Sequence, residues 1–264
     1  MPLQRARGEA RAEVRPVGGR TRLARLHQAG CLKLRFPRLP HGGAEAVLIN
    51  TSGGLTGGDR LAQRFQVESG AALTVTTQAC ERVYRASSGR AEVATKARVG
   101  PGAGFAWLPQ ETILFDGGAL QRSLEIDCAT TSRLLLVESV ILGREAMGET
   151  VLTGSLRDRW RIRRDGRLVF ADDLRLEGAV SALAGHGASL SGNRAFATIL
   201  VQAPEAEARL DPLRATVGNR GGATMVDGLL IARLVAPDGF SLRKRLIPAL
   251  TALAVEPLPL VWSL

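Results

Sequence analysis

The sequence predicts a mainly β protein, a single domain over residues 1–264 with one or two short helices. Three observations carry that reading. Apolar and polar residues alternate with period two through ALTVTT, RAEVATKARV and SLEIDC (Ser123 to Cys128), the pattern of strands with one buried face. The pair Asp165-Gly166, inside LRDRWRIRRDGRLVFADDLRL, is a strong short hairpin signal. Helical patterns are few, and glycine or proline interrupts them.

In chain order, the polar N-terminus MPLQRARGEARAEV has no apolar core of a secretory signal, and residues 1–12 are expected to be disordered. AVLI then runs into NTSGGLTGGD, Asn50 to Asp59. A strand entering four glycines raises a phosphate loop, and Gly53 to Gly58 satisfies G-x-x-x-x-G. Asp59 and Arg60 follow, where a lysine would reach the outer phosphates and a hydroxyl would hold magnesium. The dinucleotide spacing G-x-G-x-x-G is also missing. The stretch therefore reads as a tight strand-to-strand turn with positive backbone angles, and LAQRFQVESGAALTVTT as strand beyond it.

In the hairpin, Arg157, Arg159, Arg161 and Arg163 share one face, with Trp160 and Ile162 on the other. That arginine face is either the wet side of a sheet or a dock for an acidic partner. LEGAVSALAGHGASL predicts a short helix. FATILVQAPEAEARLDPLRATV predicts strand, loop and a helical turn, and GNRGGATMVDGLLIARLVAP a glycine-rich turn before a buried strand. FSLRKRLIPALTALAV predicts a further helix, broken or kinked at Pro248. No tandem repeat is evident and no linker divides the chain.

Of the 264 residues 45% are hydrophobic, enough for a sizeable β core, and no apolar run is long enough to span a membrane. Cys31, Cys80 and Cys128 lie far apart without C-x-x-C pairing, which fits a reducing cytoplasm and gives no zinc site. The net charge of +10 points to an anionic partner. Its arginines are scattered, however, and an aromatic fraction of 4% provides no base-stacking platform. A basic β-rich binder of nucleic acid or another anionic ligand is the alternative that charge allows, and an acidic protein would use the same surplus.

Catalytic signals are thin. His27, His41 and His186 form no H-x-x-x-H, His41 sits in a PHGG turn, and no G-x-S-x-G elbow appears. Cys80, beside Arg82 in TTQACERVYR, is either the thiolate of a small hydrolase or a small buried hydrophobe. Five carboxylates stand beside turns or inside apolar runs: Asp59, Glu81, Glu111, Asp116 and Glu138. When buried, such a group must be paired, hydrogen-bonded or metal-bound. Glu138, in LLLVESVILG, is the sharpest case, split between a salt bridge to an arginine and metal handling. Oxygen ligands alone suit hard divalent ions and hold softer ones only loosely, which suits a protein that passes an ion on.

Four segments together, NTSGGLTGGD, TTQACERVYRASSG, FAWLPQETILFDGGAL and ESVILGREAMGE, resemble in order and spacing the blocks of the urease accessory protein family UreD, also called UreH. The resemblance is strongest from Asn50 to Glu149. It maps Gly53, Gly54, Gly57, Gly58 and Asp59 onto the glycine-aspartate block, and Thr77, Gln78, Glu81, Tyr84 and Arg85 onto the TTQ block. Trp107, Leu108, Pro109, Gln110 and Glu111 match the LPQ block; Gly143, Arg144, Gly148 and Glu149 match the GR-GE block. Ser52, Cys80 and the Glu81-Arg82 pair are modest departures.

The resemblance implies a layered, β-helix-like stack of strands and a non-catalytic cytoplasmic chaperone of nickel urease maturation. Its partners would be apo-urease subunits, UreF and, through UreF, the GTPase UreG, with neither nucleic acid nor membrane. No cofactor is tightly bound, and Ni²⁺ passes transiently. Asp59, Glu81, Glu138 and Cys80 are the expected flank of the nickel route, and Arg157, Arg159 and Arg161 an expected partner surface.

Overall fold

Period-two alternation resolves into seventeen strands in chain order among the described residues, 4–40, 42–144 and 147–263 of a computed structural model. His41 of the PHGG turn, and Glu145 and Ala146 of the GR-GE block, lie outside them. The strands are β1 (Arg7–Val17), β2 (Arg20–Gly30), β3 (Leu32–Arg35), β4 (Ala44–Asn50), β5 (Arg60–Val67), β6 (Ala72–Thr77), β7 (Glu81–Val83), β8 (Ala91–Val99) and β9 (Gly104–Leu108). They continue with β10 (Thr112–Leu114), β11 (Ala119–Cys128), β12 (Arg133–Leu142), β13 (Gly154–Arg164), β14 (Arg167–Gly178), β15 (Ala195–Gln202), β16 (Gly221–Val226) and β17 (Leu229–Ala236). Helices α1 (Val180–Gly185), α2 (Leu210–Val217) and α3 (Gly239–Leu253) are interspersed near the C-terminus.

From β4 onward the chain winds between two sheets. Strands β5, β8, β11 and β13 are parallel neighbours in the first sheet, which continues through β1 to β2 on one side and ends at β14 on the other. Strands β4, β6, β9 and β12 are parallel neighbours in the second, which continues into β15, β17 and β16. The short β7 and β10 stack on a third side, and β12 pairs first with β9 and then with β10. The result is the solenoid-like stack of strands that the resemblance implies. Side chains 31 residues apart meet repeatedly, as in Asn50 with Glu81, Cys80 with Glu111 and Trp107 with Glu138. The repeat is thus structural, although the sequence shows none.

Inward residues of both sheets form one core, including Phe65, Phe105, Leu124, Ile126 and Trp160. A second core lies on the outer side of β12, β15 and β17, under α2 and α3. This explains why β12 and β15 read as nearly continuous apolar runs: both faces are covered.

Three expectations are corrected. Residues from Arg7 to Ala12 are not disordered but open β1, where Ala10, Ala12 and Val14 alternate into the core. Pro248 does not break its helix: α3 runs past it, held by buried Leu242, Leu246, Ala249 and Leu250 and capped by Asp238, which accepts from Ser241 N at 2.6 Å. The segment read as one glycine-rich turn and one strand is a hairpin, β16–β17, turned at Asp227-Gly228 with φ of 51° and 73°. The Asp165-Gly166 hairpin forms as expected, with φ of 48° and 81°.

The glycine turn carries the chain from β4 in the second sheet to β5 in the first, with positive φ at Gly53, Gly54 and Gly58. Two of its glycines are needed for different reasons. At Gly53 (φ +78°) an added Cβ meets nothing within 4 Å, so Gly53→Ala should cost about 1 kcal/mol of backbone strain. At Gly57 the same atom would lie 2.1 Å from the Ser88 carbonyl oxygen and 2.9 Å from that of Gly89, so Gly57→Ala should cost about 3 kcal/mol. Urea unfolding of the two variants checks the order; equal losses would contradict the close packing of the coils.

Candidate functional site

The four blocks singled out in the sequence form corners of successive coils on one side of the stack. The Tyr84 hydroxyl donates to the Gly53 carbonyl at 3.1 Å, and its ring meets Phe115 edge-on, centroids 5.1 Å apart. The Arg144 guanidinium lies over the same Phe115 ring at 4.5 Å and donates to Glu149 at 2.9 Å. Glu149 also accepts from the Asp116 N–H at 3.3 Å, and Arg85 is paired with Asp116. Gln110 N–H donates to the Thr77 hydroxyl at 2.9 Å. An added Cβ at Gly54 would strike the Tyr84 ring at 2.4 Å. These residues hold coil to coil.

Behind this wall lies a cavity of about 220 Å³ between the sheets. Asn50, Gly53, Gln78, Cys80 and Glu81 line it, with Gln63, Thr95, Thr112, Arg122 and Glu138. Of the sequence-predicted route residues it gathers Cys80, Glu81 and Glu138. Asp59 is not in the wall: its carboxylate accepts from the backbone N–H groups of Ala6 (2.7 Å) and Thr56 (2.8 Å), and so closes the glycine turn.

Glu138 resolves towards the salt bridge. Arg122, 5% exposed, projects inward from β11 and pairs with Glu138 of β12 and, at 2.5 Å, with Asp158 of β13. It also donates to Thr112 at 3.1 Å, while Trp107 Nε1–H donates to Glu138 at 2.9 Å. Burial works against the guanidinium charge, but Asp158 and Glu138 override it and raise the Arg122 pKa. Burial likewise raises Glu138 above the ordinary carboxylate value, Arg122 opposing and Asp158 adding to it. One cation balances two buried carboxylates. The sequence reading missed Arg122 and Asp158, although each falls in the inward phase of its strand, with Leu120 and Leu124 or with Leu156 and Trp160.

Glu81 is different. It accepts from the Asn50 amide, at 3.1 and 3.2 Å, and from the Arg82 backbone N–H, and among the described residues it forms no ion pair. Burial pushes its pKa up to about 7; the Asn50 hydrogen bond opposes this and the charge of Asp59 adds to it. Cys80 is corrected as a nucleophile. Its thiol donates to Glu111 at 3.4 Å, and burial followed by the Glu111 charge pushes its pKa up to about 12, so it stays protonated near neutrality. Glu111 is held from the other side by Arg243 of α3 at 3.1 Å, and Arg243 also donates to Gln110 at 2.8 Å. This pins the helical layer to the LPQ corner. Among the described residues no three His, Cys, Asp or Glu side chains sit close enough to hold a metal ion together.

The arginine hairpin faces outward, away from the cavity. Arg157 is engaged by Asp173 at 2.8 Å, and Arg161 donates to the carbonyls of Trp160 and Asp172, which leaves Arg159 with no hydrogen bond or ion pair among the described residues.

The model of the UreD urease accessory protein family matches residues 6–263. The chain belongs to the UreD family. Urease accessory protein UreD of Rhizobium leguminosarum bv. viciae is 52% identical over 263 residues, covering 99% of this chain and 96% of that protein. UreD of Chelativorans sp. (strain BNC1) is 52% identical over 267 residues, covering 100% and 96%. UreD of Agrobacterium fabrum is 52% identical over 262 residues, covering 99% and 92%. The relatives are urease accessory proteins by description.

Two measurements test the electrostatics. Arg122→Ala leaves two buried carboxylates unbalanced and should cost about 3–5 kcal/mol in urea unfolding. Adding Glu138→Gln and Asp158→Asn should recover part of the loss. For Glu81 the folded pKa lies above the unfolded one, so its neutral form favours the fold below pH 4.5 and that advantage is lost as pH rises through about 7. Glu81→Gln should therefore stabilise the protein by about 2 kcal/mol above pH 7, shrinking towards zero below the ordinary carboxylate value of 4.5. A gain independent of pH would contradict the burial of an ionised Glu81.

Proposed function

We propose that this protein is a scaffold of nickel urease maturation that binds apo-urease and UreF in the cytoplasm, and that its interior cavity is a way-station for Ni²⁺ passed towards urease. The observation that carries the reading is the cavity itself, where the Glu81 carboxylate meets polar walls and, among the described residues, forms no ion pair. Oxygen donors that do not close into a chelate suit an ion that must leave again. Capture at Glu81 would displace a proton, since burial keeps that group close to half-protonated at neutral pH. Glu138, already paired with Arg122, keeps the inner end polar without offering a free ligand. Cys80 stands beside the route as a neutral thiol, a softer contact.

Nucleotide hydrolysis falls to UreG, recruited through UreF; the glycine loop here lacks the lysine and hydroxyl that such chemistry needs. The outward hairpin residues Arg157, Arg159 and Arg161 are assigned to the UreF contact. No nucleic acid or membrane takes part, and among the described residues no helix is long and apolar enough to cross a bilayer.

The test is co-expression with UreF, UreG and the urease subunits, followed by size exclusion and metal analysis. Glu81→Gln should keep the complex together while lowering the rate of nickel loading into urease by about tenfold. Normal loading by a variant that still co-elutes would remove Glu81, and with it the cavity, from the route.

A further inference from the structure

The outer face of the first sheet carries a second feature, independent of the cavity. Strand register sets Arg11 of β1 opposite Arg64 of β5, and Arg64 opposite Lys96 of β8, so three cations stand in one row across adjacent strands. Arg98, two residues beyond Lys96, opens the next row on the same face. Strand β2 pairs with β1 alone and supplies Arg25 and His27 as a wall. Together they border a groove of about 890 Å³.

Like charges directly opposite one another in a sheet are destabilising. Lys96 is relieved by Glu125 of β11 at 2.8 Å, and Arg11 by Glu9. Arg64 and Arg98 are exposed and make no hydrogen bond or ion pair among the described residues. Asp127 of β11 stands directly opposite Arg98, whereas Arg64 has a cation on either side, so the fold holds one unrelieved guanidinium beside a second exposed one in a concave surface, an arrangement that a bound anion would stabilise.

We propose that this groove binds an acidic polypeptide segment of a partner protein. Peptide is favoured over nucleic acid because Glu13, Glu125 and Asp127 line the same groove. A regular phosphate backbone could not avoid those carboxylates, whereas a polypeptide can set a cation or an amide against them. Leu26 of β2, 42% exposed at the groove wall, adds the apolar contact that a side chain uses and a phosphate does not. This rests on the scaffold reading only in supposing a protein partner; it involves neither nickel nor the cavity.

The experiment is fluorescence anisotropy of a labelled peptide of alternating Glu and Ala, titrated with the full chain at low and at physiological salt. Binding should weaken with salt and fall by about tenfold or more in the Arg64→Glu, Arg98→Glu double variant. Both side chains are exposed and make no hydrogen bond or ion pair among the described residues, so the circular dichroism of that variant should match the parent. Lys244→Glu, on α3 outside the groove, should bind the peptide like the parent. The proposal is overturned if the peptide does not bind, if the double variant binds as tightly as the parent, if Lys244→Glu loses as much, or if a DNA oligonucleotide of equal charge binds more tightly. Since the assay contains no metal and no urease protein, its failure would leave the Glu81 result standing, and the reverse holds too.

Discussion

One buried guanidinium ties the walls of the solenoid together. Arg122 leaves the first sheet on β11 and reaches Glu138 on β12 in the second, Asp158 on β13 beside it, and Thr112 on the short third side. Burying a charge is costly unless the partners compensate; here two carboxylates and the Thr112 hydroxyl take the guanidinium and an indole N–H supports Glu138, while Arg122 Nε and Asp158 Oδ1 have no partner among the described residues. The network can form only if three successive inward positions come into register. A one-residue slip of β11 would turn Arg122 to solvent and bring Gln121 or Ser123 inward. Apolar packing alone would tolerate several registers, and the ion trio discriminates among them.

Register then accounts for the motif blocks. Parallel stacking sets each corner of the coil above the corner about one coil back, so residues 31 positions apart become neighbours. Tyr84 sits over the Gly53 turn, Phe115 against Tyr84, and Arg144 over Phe115. Segments that look unrelated along the chain are therefore one continuous wall, and glycines recur in it because the corners of adjacent coils approach within van der Waals contact. The cavity lies behind that wall, where Gln63, Thr95 and Glu81 replace apolar side chains.

Much of this was legible in the residues. Alternation fixed which side chains of β5, β11 and β13 point inward, the Asp-Gly turn located the long hairpin, and the failed phosphate loop correctly read as a turn. The partner of Glu138 was not identified, because a strand pattern gives the face of a residue but not which distant strand it meets. Arg122 and Asp158 were nevertheless marked in principle: each is a charge standing in the apolar phase of its strand, where an unpaired ion could not survive. Asp59 misled for the opposite reason. A carboxylate after glycines looks available, but in a turn its nearest donors are the backbone N–H groups, and two of them take it. The winding of the coils depends on contacts too far apart for local periodicity to reveal.

The same alternation separates two electrostatic environments across a single layer of backbone. On β11, Arg122 points into the cavity side and Glu125 outward; on β13, Asp158 points inward between Arg157 and Arg159, which point out. Inside, the buried Arg122 guanidinium faces the buried carboxylates of Glu138 and Asp158, so each charge acts strongly over short range. Outside, cations outnumber carboxylates in a groove open to salt, where they act mainly on the approach and orientation of a partner. On the proposed function, a positive outer face would repel a divalent cation arriving from that side and favour entry at the Glu81 end, behind the glycine and TTQ corners, so that partner docking and cation handling would be kept on opposite faces of the same strands.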